Sequence, residues 1–492
     1  MFESAELGHK VAKKVYDEEV PLLREQLLQA QFELSESSTF QTFIIISGVD
    51  GAGKGETIKT LNAWMDPRHI RTNVMLKPSA EELERPDMWR FWQVFPPKGK
   101  IGIFVHTWYS QALLDRVYGI STNSQLDQHL ERIEKFERML VNEGVLILKF
   151  WLHLSKNGQQ ERFKALEKDP KNSWRVTERD WKHLKLYDKF IRVTERTLRR
   201  TSTAEAPWII LEGADSRYRE LTIGKAILQA LNQRLSAPKN HATTLPVKVT
   251  VAKSDNLSVL RSLDLSQTLD KKKYGSMLAK YQGKLALLAR EPGFKKISAT
   301  AVFEGFDAAG KGGSIRRLTG ALDPGLYRVI PIAAPTEEEK AQPYLWRFWR
   351  HLPRQGMITI FDRSWYGRVL VERIEGFCSE SDWVRAYEEI NDFEEQLIDN
   401  RTLVAKFWLS ISQEEQLARF KAREQTGYKR FKITEEDWRN REKFQLYEQA
   451  VCDMVDHTST EIAPWTLIEA NDKNLARIKV LRTFCELIEK AL

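Results

Sequence analysis

Gly305-Phe-Asp307-Ala-Ala-Gly310-Lys311-Gly312-Gly313 follows the apolar run Thr300-Ala-Val-Phe303 and opens a helical stretch. A buried strand, then Gly-x-x-x-x-Gly-Lys, then a helix is a phosphate-binding loop. Backbone N–H groups wrap the anion, the glycines let the chain approach it, and the lysine neutralises charge. The signature also occurs earlier, as Gly48-Val-Asp50-Gly-Ala-Gly-Lys54-Gly55 after Phe43-Ile-Ile-Ile-Ser47. Lys54 and Lys311 are 257 residues apart, and that offset persists. It carries Trp89-Arg-Phe-Trp92 onto Trp346-Arg-Phe-Trp349, Lys149-Phe-Trp151 onto Lys406-Phe-Trp408, Asp180-Trp181 onto Asp437-Trp438, and Ala206-Pro-Trp208 onto Ala463-Pro-Trp465. The chain is a fused duplication of one phosphate-binding domain.

The 492 residues divide accordingly into a first domain over 1–235, a polar, proline-containing linker over 236–246, and a second domain over 247–492. Each is long enough to bury its own core. A hydrophobic fraction of 42% beside 29% charged residues is that of a soluble globular protein. The net charge of +8 suits a polyanionic ligand, so on charge alone nucleic acid stays open and the motifs must decide. Cys378, Cys452 and Cys485 are sparse and lack metal-ligand spacing, which predicts reduced thiols in a cytoplasmic setting. The charged start has no apolar signal region, and the apolar runs are strand-sized, so no membrane association is expected.

Helical preambles are expected over Val11 to Leu34 and Leu263 to Ala289. Further strands read at Ile101 to Val105 and Met357 to Phe361, Val145 to Phe150 and Leu403 to Phe407, and Trp208 to Leu211 and Trp465 to Ile468. Continuous apolar strands alternating with helices predict an α/β fold, a doubly wound parallel sheet covered on both faces. Trp89, Trp92, Trp346 and Trp349 read as helix–sheet packing in preference to a nucleotide platform.

The residue after the loop lysine is ordinarily Ser or Thr, whose hydroxyl ligates magnesium; here it is Gly312 or Gly55. Asp307 in the loop and Asp362 at a strand end are the alternative anchors for Mg2+. Asp362-Arg363 stands at the sheet edge where ligands bind in such folds, whereas the first half has Val105-His106 there. That exchange removes a carboxylate and a permanent, forked phosphate donor. Arg419, Lys421, Arg423, Lys429, Arg430 and Lys432 form a basic run that reads either as a solvated helix face or as a cationic lid over a polyanion. Its place between two strands favours the lid. The first half keeps Arg162, Lys164 and Arg175 but has Leu166, Asn172 and Ser173 for Arg423, Lys429 and Arg430.

Residues 305–313, Trp346-Arg-Phe-Trp349, Asp362-Arg-Ser-Trp-Tyr366, Val371-Glu-Arg373 and Ala463-Pro-Trp465 together resemble the family-2 polyphosphate kinases. The tandem layout is similar to the subgroup that moves phosphate from inorganic polyphosphate to AMP, giving ADP. The resemblance implies a duplicated P-loop kinase fold with a helical lid, similar to thymidylate kinase. It implies phosphate handling by Lys311, Arg363 and Arg423, and metal and phosphate positioning by Asp307 and Asp362. Arg368 and Glu372 are expected at the same site. The first half matches at Asp50 and Lys54 but departs at Val105, His106, Leu166, Ser216 and Glu220, and is expected to be inactive. Inorganic polyphosphate and AMP or ADP are the expected partners, nucleic acid is not, and a homo-oligomer is left open. Competing readings are phosphorylation of ADP to ATP from polyphosphate, and a non-catalytic binder of polyphosphate or nucleic acid.

Overall fold

The computed structural model describes residues 1–237, 258–427 and 435–492. Most of the linker expected over 236–246 lies outside the described residues, as do Lys429, Arg430 and Lys432. The chain divides into two compact units. One comprises Met1–Pro78, Arg90–Leu245 and Thr336–Tyr344, the other Ser79–Trp89, Pro246–Pro335 and Leu345–Leu492.

The first unit holds a five-stranded sheet: β1 (Thr42–Gly48), β2 (Ile70–Val74), β3 (Ile101–Val105), β4 (Leu146–His153) and β5 (Trp208–Glu212), in the order β2-β3-β1-β4-β5. The second repeats it with β6 (Ser298–Gly305), β7 (Tyr327–Pro331), β8 (Ile358–Asp362), β9 (Thr402–Ser410) and β10 (Trp465–Glu469), in the order β7-β8-β6-β9-β10. All pairings are parallel. In each sheet the loop-bearing strand is central, flanked by the strands on which chain order reverses direction. This is the α/β architecture expected, and its ligand crevice lies beyond the strand ends at that reversal.

The continuous apolar run of β1 is explained by burial on both faces. Ile44 and Ile46 pack with Leu27, Leu34 and Ile227 of the helices Lys13–Ser37 and Ser216–Ser236. Phe43 points to the opposite face and meets Phe95 and Phe104, with Trp92 packed on Phe95. The Trp-rich segments are therefore packing elements, with Trp92 and Trp349 each 1% exposed. β2 and β7 are edge strands with mostly exposed or half-buried residues, which is why no apolar run announces them. The second preamble is a helix over Lys271–Leu288, starting later than Leu263 because the Asp270 carboxylate caps the Lys272 and Lys273 N–H groups.

A buried ionic knot recurs in both sheets. In the second unit, Lys406 of β9 donates from Nζ to Glu394 Oε2 at 2.8 Å, to the Thr458 carbonyl at 2.6 Å and to the Tyr366 hydroxyl at 3.0 Å. Glu394 also accepts from Trp365 Nε1 and Tyr366 Oη, so the turn after β8 is tied to the helix Glu380–Asp399. The first unit repeats the arrangement with Lys149, Glu137, Trp108, Tyr109 and the Thr201 carbonyl. Burial pushes the pKa of both lysines down, opposed by the adjacent glutamate.

Candidate active site

The loop after β6 is shaped by two glycine positions. Gly305 has φ of 152°, and a Cβ there would stand 2.6 Å from the Leu409 carbonyl oxygen of β9. Gly310 has φ of 110° at the entry to the helix Lys311–Thr319, a conformation that side chains resist. Gly312 has open space around it, and Gly313 lies beside Arg477 of the last helix. Lys311 folds back over the loop, its Nζ donating to the Gly305 carbonyl at 2.7 Å and to the Phe306 carbonyl at 3.4 Å. Gly305, Gly310, Lys311, Gly312 and Gly313 thus form one cradle, open to a phosphate.

β8 delivers the second half of the site. Phe303 of β6 is in register with Asp362, so the strand-end carboxylate stands beside the start of the loop. Arg363 follows with φ of 64°, a left-handed conformation unusual outside glycine, and its N–H is held by the Phe303 carbonyl at 3.0 Å. Its guanidinium reaches Asp307 Oδ1 at 3.3 Å and is 44% exposed. The other Asp307 oxygen accepts from Asn440 Nδ2 at 2.8 Å. The structure brings together Asp307, Lys311, Asp362 and Arg363. Arg368 and Glu372 form an ion pair of their own at 3.2 Å in the segment that follows. Arg423 sits one turn beyond Arg419 on the helix Gln413–Glu424.

Two residues have no place in the motifs, and a third takes a different role from the one its sequence context suggests. Glu304, the residue before Gly305, is 6% exposed and accepts from Ser364 Oγ at 2.8 Å. Burial raises its pKa, opposed by Lys311, the Ser364 bond and Arg363. Its signal was available in the repeat, because Ser47 stands at the equivalent position in the first half. Asn440 is the second, and its first-half counterpart His183 likewise bonds the loop aspartate, Asp50, at 2.7 Å. Arg419 is the third, and it corrects the lid reading for that residue. It is 5% exposed and donates to the carbonyls of Ala308, Ala309, Ala470 and Asn471, clamping the loop from beneath. In the first half the clamp is Arg219, which donates to the Ala52 and Gly213 carbonyls.

The first-half site keeps the loop and loses its surroundings. Lys54 Nζ donates to the Gly48 and Val49 carbonyls at 2.8 and 3.0 Å and lies 3.8 Å from Asp50. Val105 is buried and apolar where the second half has Asp362, and His106 keeps the left-handed backbone of Arg363 with φ of 54°.

Among the described residues no three His, Cys, Asp or Glu side chains cluster as a metal cage, and no helix is long and apolar enough to cross a membrane. Magnesium is commonly held by one or two carboxylates, with substrate phosphates and water completing its shell. Two aspartates of hard oxygen donors beside a phosphate cradle fit that ion.

A family model described as Polyphosphate kinase 2 matches residues 10–239 and 268–492. A protein of Pseudomonas aeruginosa named polyphosphate:AMP phosphotransferase is 59% identical over 492 residues, covering 100% of this chain and 99% of that one. One of Pseudomonas syringae pv. tomato with the same name is 53% identical, with coverage of 100% and 99%. A Pseudomonas aeruginosa crystal structure assigned to polyphosphate kinase 2 superposes with a TM-score of 0.91 at 56% identity, covering 100% of this chain and 99% of that one. With two phosphate loops, two matching sheets and a family match over nearly its whole length, the chain belongs to the polyphosphate kinase 2 family.

Proposed function

We propose that this chain transfers the terminal phosphoryl group of inorganic polyphosphate to AMP, and that the second half carries the reaction. One observation supports this above others. Asp307, Lys311, Asp362 and Arg363 converge on one open loop, and the first half has lost the last two. Full-length relatives at 59% and 53% identity bear the name of this activity.

An oxygen of the AMP phosphate attacks the terminal phosphorus of the chain. The bridging P–O bond breaks, giving ADP and a polyphosphate one unit shorter. The AMP phosphate has a second pKa near ~6, so its attacking oxygen is largely unprotonated at neutral pH and no general base is needed. Repulsion between anions is the obstacle, so positioning and charge neutralisation dominate. Lys311 turns from its carbonyl partners to the phosphate in the cradle, and Arg363 offers its exposed fork to the other side. Arg423 covers the same anion from the lid side, with Arg368 and Glu372 ordering the segment after β8. Glu304 is a positioning residue, fixing through Ser364 the turn that carries Asp362 and Arg363. Asp307 and Asp362 are the residues that would hold magnesium, which when bound supplies positive charge to the transferring group.

The three cysteines are free, which supports a cytoplasmic setting. The test is incubation of the purified protein with polyphosphate and AMP, and separately with polyphosphate and ADP, with products resolved by chromatography. ADP forming from AMP without ATP is the expected result. Faster ATP formation from ADP would move the assignment to the competing acceptor, and magnesium-independent binding without turnover would make the protein a binder.

A further inference from the structure

The first half encloses a cavity of roughly 160 Å³, open on one side, between its phosphate loop and the helices Trp108–Tyr118 and Tyr187–Thr201. Its walls differ in chemistry. One side carries Lys54, Arg179 and His183 around Asp50; the other carries Leu114 and Phe190.

The polar side is set by fixed charges. Asp50 is the one acid lining the cavity, engaged by His183 at 2.7 Å with Lys54 at 3.8 Å, and the field of buried Asp180 also reaches Lys54. Arg179 has no hydrogen bond or ion pair among the described residues, although its field reaches Asp50, Lys54 and His106. The equivalent position of the second half is Glu436. The first half therefore carries a cation where its twin carries an acid, and it does so beside a retained phosphate loop. A guanidinium with no acid partner beside a phosphate loop attracts anions. An apolar cavity of about 150 Å³ is large enough for benzene. The cavity thus has space for a ring-sized apolar body with an anionic group at the loop.

We propose that this cavity is a non-transferring binding site for a small phosphate monoester. Its phosphate lies between Lys54 and Arg179, and a compact apolar or flat organic part rests on Leu114 and Phe190. Val105 and His106 replace the aspartate and arginine of the other half, so the ligand is held without group transfer. This site is argued from the first half alone and stands whichever acceptor the second half uses.

The experiment is calorimetric titration of the full chain carrying Lys311→Ala, which weakens the second loop, using phenyl phosphate and inorganic phosphate as probes. One saturable site for phenyl phosphate is expected, with inorganic phosphate weaker by at least tenfold. Adding Arg179→Glu should weaken phenyl phosphate at least tenfold at unchanged Tm. Lys54→Met provides the same reading if Arg179→Glu loses its fold. Three results each overturn the proposal: no saturable site, affinity unchanged by both substitutions, or inorganic phosphate binding as tightly as phenyl phosphate.

Discussion

Replacing Glu304 by Ser installs the residue that the first half carries at this position, and its effect can be worked from the contacts. The Glu304 carboxylate is 6% exposed and accepts the Ser364 hydroxyl at 2.8 Å; Ser364 in turn accepts the Tyr366 N–H at 3.3 Å. These bonds set the turn that aims Asp362 and Arg363. A hydrogen bond to a charged group contributes about 1.5–3 kcal/mol. If that ordering is expressed in the transition state, at about 1.4 kcal/mol per factor of ten, kcat should fall roughly ten- to a hundredfold. The KM for polyphosphate should change little, because Glu304 acts through Ser364 on the turn that carries Asp362 and Arg363. Tm should not fall in proportion, since the removed carboxylate is one that burial disfavours. Glu304→Gln keeps an acceptor for Ser364 and should lose about tenfold or less. Steady-state kinetics of ADP formation beside thermal melts separate these terms. Unchanged kcat in both variants, or a loss that only tracks unfolding, refutes the positioning argument.

Lys311→Ala should lower turnover by roughly a hundredfold or more, as lost electrostatic stabilisation does, while Lys54→Ala leaves most of it; equal losses in folded protein would end the one-active-half assignment. Lys406→Met strands the Glu394 carboxylate in the core and should cost about 3–5 kcal/mol in urea unfolding. The Cys378 thiol is pushed up to about 11, chiefly by burial, so alkylation followed by mass spectrometry should be slow at pH 8 and gain about tenfold per pH unit up to that value. Burial works to raise the Asp50 pKa, but the His183 bond and the Lys54 charge hold it at about 2. With the folded value below the ordinary one near ~3.9, its stabilisation is complete above that value and lost as pH falls toward 2. Asp50→Asn should therefore flatten the acid limb of the stability curve by the order of 2 kcal/mol.

The central strands and both loops were legible because they obey strong rules: apolar runs buried on two faces, and glycines where the chain turns left-handed. The edge strands β2 and β7 were not, since Ile70-Arg-Thr-Asn-Val74 and Tyr327-Arg-Val-Ile-Pro331 are half exposed and resemble loop sequence. Asp307, Lys311, Asp362 and Arg363 could be named because each sits at a fixed distance from a strand end. Asn440 obeys no such spacing, and Glu304, although fixed one residue before Gly305, matches no position of the loop motif. One comes from a helix distant in sequence, and the other reads as an ordinary strand residue until Ser364 is found against it. Arg419 was misassigned for a related reason. A guanidinium that binds backbone carbonyls and one that binds phosphate look the same in a string of basic residues, and only burial distinguishes them.

The left-handed residue after the third strand of each sheet, Arg363 in one and His106 in the other, has an engineering consequence. Backbone strain of this kind persists only where the surrounding structure over-determines it. The first half has kept its bend without the aspartate and arginine, so the mould outlasted the casting. Restoring Asp at 105 and Arg at 106, with Glu at 47, would place new side chains on a main chain already bent to receive them. The route to a two-headed enzyme runs through side-chain grafts, with no loop to redesign.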